Sequence, residues 1–443
     1  MTAARAGQAR LDHRRVLRIA VPIMISNATV PILGAVDTGV VGQMGLAAPI
    51  GAVGIGAVIL TAVYWIFGFL RMGTAGLASQ ARGAGMTDEL SALLSRSLLV
   101  GLAAGVLLVL LQKPIFQMAF LISPASAEVE TLARKYIQIR IWSAPGAIAV
   151  YSVTGWLIAM EKTGSVLVLQ LWMNGVNVVL DLWFVLGLGW GVEGVAFATF
   201  LAEWSGFALG LWLCRQAFAV SAWRDGTKVF HGASLRWMAS INRDLLIRSL
   251  LLETIILSFL FVAADFGDVT LAANQILVQF LHITAFALDG FAFAAETLVG
   301  QAMGARNRIR LRRSALLASL WGAVCVIGLS LVFLVFGARI IDLMATAPEV
   351  RSEARTYLGY MVLAPLAGLA AWMFDGIFIG ATRAKDMRNM MAVSFAVYVV
   401  SACALVPLVD NHGLWLSLLA TLLVRGITLG LRYPELEASA DLK

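Results

Sequence analysis

The amino-acid sequence predicts an all-α integral membrane protein, with twelve transmembrane helices in two pseudo-symmetric six-helix lobes around a central cavity. Three observations carry that reading. Of the 443 residues, 60% are hydrophobic and 13% are charged, where a soluble chain carries about a quarter charged. Apolar stretches of spanning length recur along the whole chain. The chain also resembles itself at a spacing of 221 residues.

Twelve apolar segments fall near 16–44, 51–80, 90–118, 132–160, 165–188, 192–215, 243–266, 270–302, 313–340, 352–381, 389–409 and 412–431. Each reaches the roughly 20 residues that a spanning helix needs. Between the fifth and sixth, GLGWGVEG reads as a turn, because clustered glycines break helices. With the N-terminus placed inside, 23 Lys and Arg fall on inside segments and 6 on outside loops. Both termini are therefore expected in the cytoplasm. Arg5, Arg10, Arg14 and Arg15 precede the first segment, and Arg18 lies in its first turn. That segment is too long for a cleavable signal, and it contains Pro22, Pro31 and Asp37.

The repeat supplies the domain division. Leu77–Gly85 (LASQARGAG) matches Leu298–Arg306 (LVGQAMGAR) at five of nine positions. Ala144-Pro145 returns as Ala364-Pro365, and Thr154-Gly155 answers Asp375-Gly376. Each copy holds six segments, an even number, so both enter the membrane in the same sense. The expected organisation is an N-lobe over 1–215, a polar, basic cytoplasmic linker over 216–242 and a C-lobe over 243–443. Two such lobes suit a cavity that opens to either side in turn.

Acids at membrane depth mark the candidate site. Asp37 lies near the middle of ISNATVPILGAVDTGVVG, and Asp181 lies inside NGVNVVLDLWFVLG. A carboxylate in hydrocarbon costs at least a few kcal/mol and marks an ion or substrate path. Pro31 precedes Asp37 by six residues and removes a backbone hydrogen bond, so Pro22 and Pro31 are expected hinges of the first helix. Asn177 and Asp181 are spaced i, i+4 and share a helix face, with Asn174 extending the stripe. The Thr199 hydroxyl lies on the next segment and completes the set. Oxygen groups of this kind suit H⁺ or Na⁺. The competing reading, hydrogen bonding between helices, is weaker where two carboxylates occur together. The second half carries secondary candidates: Glu253, Asp289, Glu296 and Asp375. Arg71, Arg140, Arg248 and Arg425 are possible internal counter-charges, and some of these acids are expected to be locked in pairs with them. Glu203 and His282 read as packing residues.

Other classes find little support. Cys214, Cys325 and Cys403 are far apart, and four scattered histidines give no metal-ligand spacing. No nucleophile–base constellation suggests an enzyme, no cofactor is implied, and no nucleic-acid partner is expected. A flippase for lipid-linked saccharides would line its cavity with Arg and Lys, whereas the intramembrane charges here are mainly acidic. The many Met and aromatic residues suit flat, apolar, cationic molecules through adaptable contacts and cation–π attraction.

Five long motifs carry a family resemblance: PIMISNATVPILGAVDTGVVG (Pro22 to Gly42), FLRMGTAGLASQARGAG (Phe69 to Gly85), NVVLDLWFVLGLGWGVEGVAFAT (Asn177 to Thr199), ALDGFAFAAETLVGQAMGAR (Ala287 to Arg306) and DGIFIGATRAKDMRN (Asp375 to Asn389). Over about residues 15–431 the chain resembles the multidrug and toxic compound extrusion (MATE) transporters, within their DinF-like branch. The resemblance implies a secondary antiporter of a bacterial inner membrane, in which one chain suffices. It would export cationic or amphipathic organic compounds against inward H⁺ or Na⁺. It carries a coupling role to Asp37, to Asn177 and Asp181, and to Thr199. The NorM-like branch implies a second arrangement, a Na⁺ site at Glu253 and Asp375. The DinF-like pattern matches over more residues and favours H⁺.

Overall fold

A computed structural model describes residues 11–43, 46–122 and 126–441. Of the basic residues counted above, Arg5, Arg10 and Lys443 lie outside them. The described chain is helical throughout, with no strand. Among the described residues, ten helices are long and apolar enough to cross a membrane. The chain is an integral membrane protein built from α-helices.

The apolar segments become helices whose ends follow local chemistry. α1 spans His13–Gly42 and is helical through both Pro22 and Pro31. α2 (Ala47–Trp65) runs through one tight turn at 66–68 into α3 (Phe69–Gly83). α4 (Thr87–Leu110) stops at Leu111, and the remainder of the third segment forms a separate helix, α5 (Gln112–Ile122). α6 (Ala127–Arg140) starts on Ser126, whose hydroxyl accepts from the Val129 N–H. A tight turn at 141–143 leads into α7 (Ala144–Ala159), with Pro145 in its first turn, where a missing N–H costs nothing. α8 (Thr163–Asp181) continues as a widened π segment, Leu182–Gly187. α9 is Gly191–Leu213.

The link to the second half is bound rather than free. It contains two single turns, α10 (Arg215–Phe218) and α11 (Gly226–Val229). Asp225 accepts from the Thr227 N–H (3.0 Å) and hydroxyl (2.6 Å), and these bonds hold its carboxyl below the usual carboxylate range. Arg96 of α4 is buried. It donates to the carbonyls of Val229 (2.9 Å) and Lys228 (2.7 Å) and pairs with Glu89 at 2.6 Å. A cation on the last carbonyls of a helical turn complements their negative charge.

The second half is drawn in longer strokes: α12 (Gly232–Ala264), α13 (Asp268–Gly304), α14 (Arg308–Met344), α15 (Pro348–Gly380) and α16 (Ala384–Ala438). α16 covers the last two apolar segments. It breaks at Val409–Asp410, where Asp410 takes a φ of 48°. Asn274 and Asn411 exchange amide hydrogen bonds (2.7 and 3.0 Å), and Trp415 Nε1 donates to Asn274 at 2.9 Å, holding the break against α13.

The chain forms two compact units. One comprises Ile25–Ala78 and Met86–Trp237; the other comprises Met1–Met24, Ser79–Gly85 and Met238–Lys443. The core of the first includes Tyr64, Tyr136, Ile137 and Val195. The core of the second includes Phe259, Phe280, Phe333 and Trp415.

The repeat is written in the backbone more clearly than in the side chains. Left-handed φ values recur at the 221-residue spacing: Gly85 (71°) with Arg306 (52°), Glu161 (55°) with Thr382 (54°), and Gly189 (70°) with Asp410 (48°). After Glu161 and Thr382 the chain closes its helix identically, Lys162 N to Leu157 O and Arg383 N to Phe378 O, both 2.9 Å. Close helix contacts repeat as well. In one unit Gly155 lies on the Arg71 carbonyl, and in the other Gly376 lies on the Ala292 carbonyl. Within the second unit Gly83 faces the Gln301 carbonyl and Gly304 faces that of Gln80, a reciprocal crossing. Arginine, glutamate, threonine and aspartate at positive φ are strained relative to glycine.

A methyl group at Gly304 would run into the Gln80 backbone, which cannot yield as a side-chain end would. Gly304→Ala should therefore lose at least the 1–3 kcal/mol or so typical of overpacking, read as a lowered melting temperature in detergent. Gly359→Ala, with open space around its Cβ, should be neutral or stabilising.

Candidate functional site

The first unit gathers Asp37, Asn177, Asp181 and Thr199 from three helices. Asn177 and Asp181 stand one turn apart on α8, both fully buried, and Thr199 faces them from α9. α9 approaches α8 because Gly206 leaves room for the Met173 side chain. Asp37 comes from α1 and is half-buried. One orientation of the Asn177 amide gives both its nitrogen and its oxygen suitable partners. Its Nδ2 donates to Asp37 Oδ1 at 3.0 Å and to Asp181 Oδ2 at 3.2 Å, and its Oδ1 accepts from the Thr199 hydroxyl at 2.9 Å. That hydroxyl is also 3.0 Å from the Val195 carbonyl, so its single proton serves one acceptor at a time. Both carboxyl groups thus lie within hydrogen-bonding distance of one amide nitrogen. Asp181 Oδ1 is buried without a partner. The π segment begins directly after Asp181, and such widened turns recur at functional sites.

Neighbouring polar groups extend the site along α8. Gln170 donates to Asn174 Oδ1 (2.9 Å), and Asn174 donates to the Thr29 hydroxyl of α1 (3.0 Å). Arg140 and Glu203 form a buried ion pair at 2.6 Å in the same unit. This corrects the expectation that Glu203 merely packs. The partners are 63 residues apart on different helices, so no spacing in the sequence revealed them. The signal available was a lone acid and a lone base, each on an otherwise apolar helix. His282 is exposed, with its ring 6.3 Å from that of Phe286.

The secondary candidates lie in the other unit and do not form one cluster of acids. Asp375 Oδ2 accepts from both Arg248 and Arg425, while Asp375 Oδ1 is buried without a partner. Glu253 is half-buried on α12. On α13, Asp289 is half-buried and Glu296 fully buried. Among the described residues no three His, Cys, Asp or Glu side chains cluster as a metal site. The 221-residue spacing carries Asp37 onto Ser258, Asn177 onto Tyr398, Asp181 onto Ala402 and Thr199 onto Ala420. Ser258 and Tyr398 face each other, hydroxyl to hydroxyl, at 3.4 Å. The equivalent place in the second unit is thus assembled but uncharged.

The arrangement can bind and release a proton, or attract a cation through its carboxylates. As an all-oxygen cage for Na⁺ it fits poorly, because Asn177 presents N–H groups to both carboxylates and its oxygen is taken by Thr199.

Comparison with known proteins adds a family. The MatE family model matches residues 22–183 and again 245–405, one match in each half. DNA damage-inducible protein F of Escherichia coli (strain K12) is 37% identical over 426 residues, covering 93% of this chain and 90% of that protein. A probable multidrug resistance protein NorM of Pseudomonas aeruginosa is 25% identical over 410 residues, covering 88% of this chain and 81% of its own length. The fold matches the MATE transporter VcmN of Vibrio cholerae in its bent form, with a TM-score of 0.86 at 20% identity, covering 100% of this chain and 99% of the other. It also matches a MOP superfamily transporter from Pyrococcus furiosus, with a TM-score of 0.83 at 18% identity, covering 96% of each.

Replacing Asp375 by Asn would leave two guanidinium groups without their shared anion. The variant should lose about 3–5 kcal/mol, seen as a clear drop in melting temperature. A wild-type melting curve would show that this carboxylate is not what neutralises Arg248 and Arg425.

Proposed function

Because the chain belongs to the MatE family, and is thus a membrane transporter rather than an enzyme, we propose that it is a secondary antiporter. It exports cationic or amphipathic organic compounds in exchange for inward H⁺, by alternating access between two six-helix lobes. It works as a single chain in a bacterial inner membrane with both termini in the cytoplasm. The relatives named as multidrug resistance proteins support an organic substrate. The distribution of Lys and Arg supports the orientation.

One observation supports the proton reading: Asp37 and Asp181 converge on the nitrogen of one Asn177 amide. Two ionised carboxylates held on one amide nitrogen repel, and a proton on either removes the repulsion. Deprotonated, the pair attracts a cationic substrate from the open cavity. Protonation neutralises it, the substrate leaves outside, and the proton-loaded protein turns inward to release H⁺. Pro22 and Pro31 are the proposed bending points of α1, on which Asp37 rides. Proton and substrate compete for states of the lobe and not for the same atoms.

The Na⁺ alternative would use Glu253 and Asp375. It has less support, because two guanidinium groups already occupy Asp375 and repel a further cation. Transport of an anionic, lipid-linked substrate is favoured by one observation, the pairing of Arg248 and Arg425 in one unit. Both charges converge on Asp375, which weakens that reading too.

Proteoliposomes with an imposed pH gradient, or an imposed Na⁺ gradient, should separate these readings. A fluorescent organic cation should move under the pH gradient, and Asp37→Asn should cut that flux at least tenfold while leaving the melting temperature close to wild type. Wild-type flux in Asp37→Asn would sink the proposal. Flux driven by Na⁺ alone would move the coupling site to Glu253 and Asp375.

A further inference from the structure

Along α14 the exposed side chains recur every three or four residues, so they form one stripe on the helix surface. Ile309, Leu316, Leu320, Val324 and Ile327 belong to it, each more than half exposed. The one charged member of this stretch is Arg313, and Arg312 is exposed beside it. Ile309 lies one turn nearer the helix start than Arg313 and is 84% exposed, so apolar surface continues past the arginines on that side. Several arginines at this end of the unit already have anions. Arg308 pairs with Glu437 at 3.1 Å, Arg383 with Asp386 at 2.5 Å and Arg388 with Asp244 at 2.7 Å. Arg312 and Arg313 form no ion pair among the described residues. The first half carries the same face in a covered form. At the 221-residue spacing Arg312 and Arg313 answer to Ser91 and Ala92, and Leu316 answers to Ser95. All three are buried there, and the Ser91 hydroxyl donates to the Ala217 carbonyl of the linker at 2.7 Å. In the second half that face is exposed and carries two guanidinium groups instead.

We propose that Arg312 and Arg313 bind the phosphate of an anionic phospholipid, whose acyl chain lies along Leu316, Leu320 and Val324. A guanidinium meets a phosphate through two parallel N–H···O bonds. Two such groups side by side, with no carboxylate between them, favour a headgroup of net negative charge over a zwitterionic one. The order of groups along the helix is that of a lipid, with charge at one end and then about three turns of apolar surface. A soluble anion would use the arginines and leave that surface idle. Basic residues at the end of a spanning helix are drawn to an anionic membrane surface, and the apolar face beyond Arg313 keeps the guanidinium groups within the headgroup layer. In the orientation proposed above, this end of α14 lies at the cytoplasmic leaflet. Such a site is independent of the coupling ion and of the transported substrate.

The test is native mass spectrometry of the full-length protein in neutral detergent, titrated with phosphatidylglycerol or with phosphatidylcholine. The wild type should bind phosphatidylglycerol more tightly. Arg312→Gln combined with Arg313→Gln should weaken that binding roughly 25-fold, about fivefold for each charge removed. The same variant should leave phosphatidylcholine binding and the melting temperature unchanged, because both side chains are exposed. Arg312→Lys combined with Arg313→Lys keeps the charge and should retain most of the preference. Arg224→Gln combined with Lys385→Gln removes the same net charge from exposed positions elsewhere and should behave as wild type. No preference in the wild type, or none lost in the Arg312 and Arg313 double Gln variant, overturns the proposal. An equal loss in the Arg224 and Lys385 variant also overturns it, leaving only the general attraction of a basic protein for anionic lipid. Displacement of phosphatidylglycerol by an equal concentration of inorganic phosphate overturns it as well, because the apolar stripe then contributes nothing.

Discussion

Hydrocarbon does not solvate charge, and this constraint orders the interior of the protein. An ionised group at membrane depth persists only beside a partner or a proton. Three different answers appear. Arg140 and Glu203 neutralise each other across two helices. Asp375 is paired with two guanidinium groups, those of Arg248 and Arg425. Asp37 and Asp181 meet at the nitrogen of one Asn177 amide. The first two answers are static. The third leaves a charge balance that changes with one proton, and it is the arrangement best suited to doing work.

Duplication explains why the same scaffold holds such different chemistry in its halves. Strained backbone positions recur at one spacing, down to Glu161 and Thr382 at nearly the same φ. Glycines that admit a neighbouring carbonyl recur as well, at Gly155 and Gly376. These features are costly to change, because a Cβ in the wrong place displaces a whole helix. Side chains facing an internal site are less constrained by packing. There the copies have diverged, with Asp37 and Asn177 in one and Ser258 and Tyr398 in the other.

Much of this was legible in the sequence, for identifiable reasons. Apolar length gave the helices, since hydrocarbon thickness is a fixed ruler. The i, i+4 spacing of Asn177 and Asp181 put them on one face, and the rarity of acids at depth singled out Asp37. What stayed hidden involves contacts between helices and small departures from regular geometry. The Arg140–Glu203 pair joins helices whose packing no local pattern encodes. The π segment after Asp181 and the separate helix of Gln112–Ile122 interrupt runs that remain apolar throughout. The uncharged counterpart at Ser258 and Tyr398 could have been found by carrying Asp37 and Asn177 forward along the repeat.

If Asp37 and Asp181 carry the exchange proposed above, the absence of carboxylates at Ser258, Tyr398 and Ala402 has an energetic consequence for that cycle. A single acid pair can carry at most two protons per turnover. If two protons enter as one monovalent cation leaves, one net charge crosses the membrane. Each 100 mV of potential then contributes about 2.3 kcal/mol, enough to concentrate the cation roughly 50-fold. With one proton the exchange moves no net charge, and only the pH difference drives it. In the proposed proton exchange, the uncharged counterpart of the acid pair would set the ceiling on how steep a gradient can be sustained, and whether membrane voltage contributes at all.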